Sequence, residues 1–141
     1  MPKPSRTRID REIDDADREL IRAATEVIAR NYEKERHTVG AAVLCGSGKI
    51  YPGVNVESCA YGPCAEFVAV GRAVSEGERV FERIVAIRGP NHGHAVLPPC
   101  GNCRQLLADY APDCWVILPG EGQAVKVRAR DLLPSPYCHF E

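Results

Sequence analysis

An α/β domain built around one mixed sheet is the fold class that the sequence predicts, and three observations carry it. Apolar residues recur at helical spacing near the start of the chain, β-rich runs and helix-forming runs then alternate, and Gly- or Pro-containing breaks separate them. Residues 1–9 are read as a loose tail. From Asp10 to Lys34 the chain is charged but carries Ile13, Leu20, Ala23, Ala24, Val27 and Ile28, the stripe of an amphipathic helix. Thr38 to Cys45 and Lys49 to Val56 are β-rich, and Gly46-Ser47-Gly48 between them reads as a hairpin turn. Gly62-Pro63 breaks the chain, and Pro63 suits the entry to a helix from about Cys64 to Ser75. Val80 to Arg88 is a third strand, followed by a glycine-rich loop from Gly89 to His94. Leu97-Pro98-Pro99 introduces a second short helix, Cys100 to Tyr110. Trp115 to Leu118 and Ala124 to Val127 are two further strands, and Leu132-Leu133-Pro134 opens a C-terminal segment.

Bulk properties narrow the class. The 141 residues suit a single domain spanning 1–141, large enough to bury about 68% of its unfolded surface. Hydrophobic content of 45% and charged content of 26% are those of a globular protein. Apolar stretches such as Val39 to Cys45 are far too short for a membrane span, and Met1-Pro2-Lys3-Pro4 opens no export signal. Seven cysteines, an odd number without such a signal, argue for reduced thiols and metal binding in the cytoplasm rather than a disulfide framework. A net charge of −1 gives no electrostatic reason to hold a nucleic acid polymer, so a small-molecule partner is expected.

The chemistry sits in two short clusters. Cys64-Ala65-Glu66 is followed thirty-three residues later by Pro99-Cys100-Gly101-Asn102-Cys103. Three thiols leave one tetrahedral position of Zn²⁺ open to water, the layout of a catalytic site. Glu66 stands two residues after the first thiol, too close for a comfortable fourth ligand and well placed to handle that water's protons. Both clusters fall at expected helix N-termini, where free N–H groups favour thiolate, and Arg104 beside Cys103 offers further positive charge. Cys100 and Cys103 share a helix face, so Cys64 must arrive from a neighbouring helix.

A Cys/Glu set of this kind is the signature of nucleobase deamination. Bound Zn²⁺ lowers the pKa of water from about 15.7 toward about 7. Glu66 takes a proton from that water and passes it to ring N3 and then to the departing amine, a cycle worth roughly 10²–10⁴ in rate. Two other readings of the thiols stand beside this one: a Cys-x-x-Cys redox pair, and a closed structural zinc site with Cys59 as fourth ligand. Cys45, Cys114 and Cys138 read as packed thiols, His92 and His94 as solvated loop residues, and Phe81, Tyr110 and Trp115 as core.

With these motifs in hand, the chain resembles the cytidine deaminase family. The resemblance runs from about residue 37 to the C-terminus. It is carried by Val39-Gly40-Ala41-Ala42, Gly53-Val54-Asn55-Val56-Glu57, Gly62-Pro63-Cys64-Ala65-Glu66, Pro99-Cys100-Gly101-Asn102-Cys103-Arg104-Gln105 and Asp131-Leu132-Leu133-Pro134-Ser135. It implies a three-layer α-β-α sandwich with one mixed sheet of about five strands and a homotetramer with one Zn²⁺ per subunit. It also implies Cys64, Cys100 and Cys103 as ligands and Glu66 as proton shuttle.

For the substrate, the resemblance implies a cytosine nucleoside, its ribose hydroxyl held by Asn55 and Glu57, with Ala65 and His37 completing the contacts. An Asn and Glu pair suits sugar hydroxyls, which both donate and accept. Against this, Asn55 precedes Cys64 by nine residues, two fewer than in ordinary cytidine deaminases, and Phe67 stands where many carry an Arg. Both features follow the blasticidin-S deaminase pattern within the family, so two substrates stay open: cytidine or deoxycytidine in pyrimidine salvage, and the nucleoside antibiotic blasticidin S. His37 either stacks on the base or points to solvent. Tyr137-Cys138-His139-Phe140 either closes over the site or is a mobile tail.

Overall fold

In a computed structural model, residues 8–138 are described. The elements follow as β1 (Arg11–Glu12), α1 (Asp15–Asn31), β2 (Val39–Cys45), β3 (Ile50–Val54), α2 (Ala65–Ser75), β4 (Phe81–Arg88), β5 (Val96–Leu97), α3 (Gly101–Tyr110), β6 (Trp115–Leu118) and β7 (Val125–Arg128). Short 3₁₀ turns lie at Pro90–His92 and Ala129–Leu132. The strands form one seven-stranded mixed sheet in the order β1-β7-β6-β4-β2-β3, with β5 beside β4. The two strands not anticipated, β1 and β5, are two residues each, too short to show a period.

Sheet alternation divides the interior into two layers. Along β4, Ile84 and Ala86 join the cluster under α2 and α3, whereas Val85 and Ile87 join the one under α1 with Leu20, Ala24 and Ile28. Two glycines of the hairpin let the helices in. A Cβ on Gly40 would lie 2.4 Å from the Ala24 carbonyl oxygen, and one on Gly53 would lie 2.6 Å from the Ala69 nitrogen. The sheet is thus the middle of an α-β-α sandwich.

The first helix is shorter than its periodicity implies because both its ends are fixed by polar contacts. Asp14 caps it, accepting from the Asp17 N–H at 3.1 Å while Asp17 accepts from the Asp14 N–H at 2.9 Å. Asp17 is fully buried and also binds Arg83 and Lys126, each at 2.8 Å. This network ties the helix start to β4 and β7. At the far end, the chain turns at Glu33–His37, where Glu35 adopts a positive φ of 67°.

Topology sets the position of the site. β3, β4 and β6 run in one direction, because β3 and β4 are both antiparallel to β2 while β4 and β6 are parallel. Parallel strands need crossover connections, and α2 and α3 supply them. Both helices therefore begin at the same edge of the sheet, beyond the C-terminal ends of β3 and β4, the usual place for a ligand in such sheets.

Candidate active site

The two helix starts carry the cysteines. Cys64 and Cys100 occupy the N-cap positions of α2 and α3 in extended conformation, with φ/ψ of −64°/155° and −70°/170°. Both helices therefore begin one residue later than the sequence pattern implies, at Ala65 and Gly101, with the cysteine as the flanking residue. Cys103, fully buried, comes up one turn into α3. The three sulfurs lie within 4.8 Å of one another, and Cys64 Sγ stands 3.5 Å from Cys100 Sγ. A tetrahedral zinc with Zn–S bonds of about 2.3 Å needs sulfurs about 3.8 Å apart, so the set fits that ion. Cys59 is exposed and is not part of the group, which among the described residues leaves three thiols and an open fourth position.

Protonation follows position. Burial pushes the thiols of Cys64 and Cys103 up, and Glu66 adds to the effect. Burial also works against the Cys100 thiolate, but the backbone N–H groups of Cys103 and Asn102 and the two neighbouring thiols outweigh it and lower its pKa. A divalent cation would reverse the first two shifts, since coordinating thiols deprotonate outright. Arg104 does not face the sulfurs as expected. Its Nε donates to the Pro99 carbonyl at 2.8 Å and its Nη1 to the Leu132 carbonyl at 3.1 Å, clamping the C-terminal turn to the loop before Cys100.

Glu66 lies in the first turn of α2 and is only 6% exposed. Burial raises its pKa, with its own backbone N–H and the Cys103 thiol pulling partly back. Beneath it lie Ile84, Ala86, Leu97 and Val116, which offer no competing polar group. Above it opens a cavity of about 250 Å³ that Cys64, Ala65, Glu66 and Cys100 share with Thr38, Val39, Asn55, Glu57, Leu97 and Pro98. Four of the residues expected at the site from sequence, Asn55, Glu57, Ala65 and Glu66, thus meet two of the three cysteines around one space.

The wall opposite the cysteines is a hydrogen-bonded frame. Asn55 Oδ1 accepts from the backbone N–H groups of Thr38 at 2.7 Å and Val39 at 2.9 Å. Asn55 Nδ2 donates to Thr38 Oγ1 at 3.2 Å and Glu57 Oε1 at 3.0 Å. His37 does not line the cavity; its Nδ1 donates to the Asn55 carbonyl at 2.9 Å, which holds the chain entering β2 against the one leaving β3. Thr38 was not anticipated, since a hydroxyl just before an apolar strand carries no spacing signal. Cys45 and Cys114 are buried as expected, and Cys138 is exposed. Phe81 is core; Tyr110 is 54% exposed and is not, because it falls in the last turn of α3. Trp115 is half-buried, with the Arg128 guanidinium 3.7 Å above its ring. His92 is exposed and His94 is half-buried rather than solvated. Gln105 Nε2 donates to the Tyr137 carbonyl at 2.8 Å, while His139 and Phe140 lie outside the described residues.

Comparison with known proteins agrees with this geometry. Residues 14–118 match the model of the cytidine and deoxycytidylate deaminase zinc-binding region. Over 132 residues the chain is 41% identical to the Blasticidin-S deaminase of Bacillus cereus, covering 89% of this chain and 94% of that one. It is 38% identical over 127 residues to a cytidine deaminase of Mycobacterium tuberculosis, covering 87% and 91%. The crystal structure of a cytidine deaminase from Burkholderia pseudomallei superposes with a TM-score of 0.71 at 31% identity, covering 89% of this chain and all of that one. One from Mycobacterium tuberculosis gives 0.72 at 30% identity, again over 89% of this chain. The match over residues 14–118, together with relatives 38–41% identical over most of their length, makes this chain a member of the cytidine deaminase family of zinc-binding deaminases, and its three clustered thiols are suited to a metal ion.

Proposed function

We propose that the protein, acting as one deaminase domain over 1–141, converts cytidine or deoxycytidine to the uracil nucleoside with release of ammonia. The observation that carries this is the buried Glu66 beside a cluster of three sulfurs, two of which, those of Cys64 and Cys100, line with it a cavity that Asn55, Glu57 and Thr38 also line. Cys64, Cys100 and Cys103 would hold zinc, which when bound acidifies water and so supplies the nucleophile. Glu66 accepts one proton from the attacking water and delivers it to N3 of the ring as the oxygen bonds to C4. It then takes the remaining hydroxyl proton of the tetrahedral adduct and gives it to the amino group, so that the C4–N bond breaks, ammonia leaves and a C4 carbonyl remains. Its raised pKa suits both directions of transfer, because a carboxylate with weakened acidity is the better base and still gives the proton back. Glu57, at the other wall, accepts from a sugar hydroxyl. A cavity of about 250 Å³ is scaled to a small molecule.

A second reading, deamination of blasticidin S, is favoured by the 41% identity to the Bacillus cereus protein, by the nine-residue step from Asn55 to Cys64, and by Phe67. Zinc-loaded protein given cytidine, deoxycytidine, cytosine and blasticidin S in parallel separates the two. Loss of the cytosine absorbance with either ordinary nucleoside supports the first reading, and turnover of blasticidin S alone replaces it with the second. The reading includes a homotetramer, for which the apolar groove of Phe67, Val70, Val74 and Leu106 between α2 and α3 is a suitable contact. It also includes a salvage role in the cytoplasm. That setting fits seven free cysteines and the absence, among the described residues, of any helix long and apolar enough to cross a membrane. Light scattering of the purified protein checks the oligomer.

A further inference from the structure

We infer that Arg104 is a positioning residue for the metal site: it fixes the backbone on both sides of Cys100 and so sets where that thiol stands. The inference rests on the proposal that Cys100 holds zinc. Of the two thiols on α3, Cys100 is the one that needs holding. Cys103 is fully buried one turn into the helix, whereas Cys100 is exposed and flanks the helix start.

The loop that delivers Cys100 is Leu97-Pro98-Pro99, and it has few handles. Neither proline has an N–H, and their rings fix φ at both positions. Carbonyl oxygens are therefore the only backbone groups by which the two prolines can be tied. The ψ angle of the buried Pro99 is the last soft torsion before the Cys100 nitrogen. Arg104 takes hold on both sides of this point. Its Nε donates to the Pro99 carbonyl at 2.8 Å, and its backbone N–H donates to the Cys100 carbonyl at 2.9 Å. Those are the peptide planes before and after Cys100, so one residue pins both. The guanidinium is itself anchored, because its Nη1 donates to the Leu132 carbonyl at 3.1 Å in the turn that follows β7. The other half of the site is built alike: the Pro63 carbonyl ahead of Cys64 accepts from the Val56 N–H at 3.2 Å. There the donor is backbone. Ahead of Cys100 it is a side chain, which a substitution can remove, and its role is directional rather than an offset of thiolate charge.

The test compares Arg104→Gln and Arg104→Lys with the parent, by zinc competition against a chromogenic chelator and by the visible spectrum of cobalt-loaded protein. Arg104→Gln is expected to bind zinc about 10- to 100-fold more weakly, the range for losing a group that orients a ligand. Arg104→Lys keeps the charge without the planar fork, and should still bind at least about fivefold more weakly. The d–d bands of bound cobalt, which report the arrangement of the thiolates, should shift in both. If Arg104→Gln does not fold, Arg104→Lys decides on the same two readings. A merely structural role would lower the melting temperatures of zinc-free and zinc-loaded protein alike and leave zinc affinity and cobalt bands at parent values. That result overturns the inference, as does full recovery of zinc affinity by Arg104→Lys or failure of both variants to fold. Cys100→Ala, measured beside them, keeps the two readings apart. If it retains zinc, the ligand assignment has failed; if it loses zinc while the Arg104 variants match the parent, only the role of Arg104 has.

Discussion

Replacing Glu66 with glutamine separates the chemistry of the site from its architecture. The two side chains have nearly the same volume, so Glu66→Gln leaves no void over Ile84, Ala86, Leu97 and Val116. What it removes is the proton carrier. A positioned general base is worth roughly 10²–10⁴ in rate, so kcat should fall by that factor, about 2.7–5.4 kcal/mol of barrier at 1.36 kcal/mol per decade. Stability should move the other way. Burial makes the ionised carboxylate of Glu66 unfavourable, which is why its pKa is raised, and a neutral amide escapes that cost. Bound metal does not cancel the effect, because three thiolates around a divalent ion leave a net charge of −1 beside it. Glu66→Gln should therefore keep its zinc and melt at or above the temperature of the parent. Steady-state kinetics, metal analysis and a thermal melt on one preparation decide it. Activity within tenfold of the parent would refute the role of Glu66, and loss of zinc together with loss of fold would refute the separation.

Three other outcomes are expected. Cys100→Ala should lose most of its zinc, as measured by elemental analysis, and melt well below the parent, because metal binding and folding are coupled. Asp17→Ala removes the fully buried one of the two carboxylates that pair with Arg83 and the nearly buried Lys126; Asp14 still pairs with both, so the cost in urea denaturation should be about 1–3 kcal/mol, the range for a buried group that loses one partner. Gly53→Ala would set a methyl group 2.6 Å from the Ala69 nitrogen, so α2 must shift, and both the melting temperature and kcat should drop; an unchanged kcat would mean the helix start is not held from that side.

Acid should expose the same network through Asp14. Burial pushes its carboxyl up, but the Asp17 N–H, Arg83 and Lys126 outweigh this and hold it below the usual range. A carboxyl with a depressed folded pKa contributes stability that is complete above its unfolded value of about 3.9 and is lost as pH falls toward the folded one. The melting temperature of the parent should therefore decline more steeply below about pH 4 than that of Asp14→Asn, and parallel declines would contradict it.

What could be read from the residues alone depended on whether a feature was local. The cluster of Cys64, Cys100 and Cys103 with Glu66 beside it was legible because each sits at a helix start, and a helix start has a fixed spacing and recognisable Pro and Gly neighbours. The five longer strands were legible from β-rich runs. β1 and β5 were not, because pairing of two residues is decided by the strand next door. Asp17 and Lys126 lie 109 positions apart and carry no local signal of pairing, and only the fold brings them together as a buried pair. The same reason hid the work of Arg104, whose carbonyl partners are set by the turn at Leu132.

On the proposed function, three thiols and Glu66 form a zinc-dependent catalyst that removes the amino group from a cytosine nucleoside. The most direct test is ammonia release from cytidine by chelator-treated protein titrated with zinc. The expected result is no release without metal and a linear rise that breaks at one zinc per chain. Release that is indifferent to zinc, or full zinc loading with no release from cytidine or deoxycytidine, would contradict it.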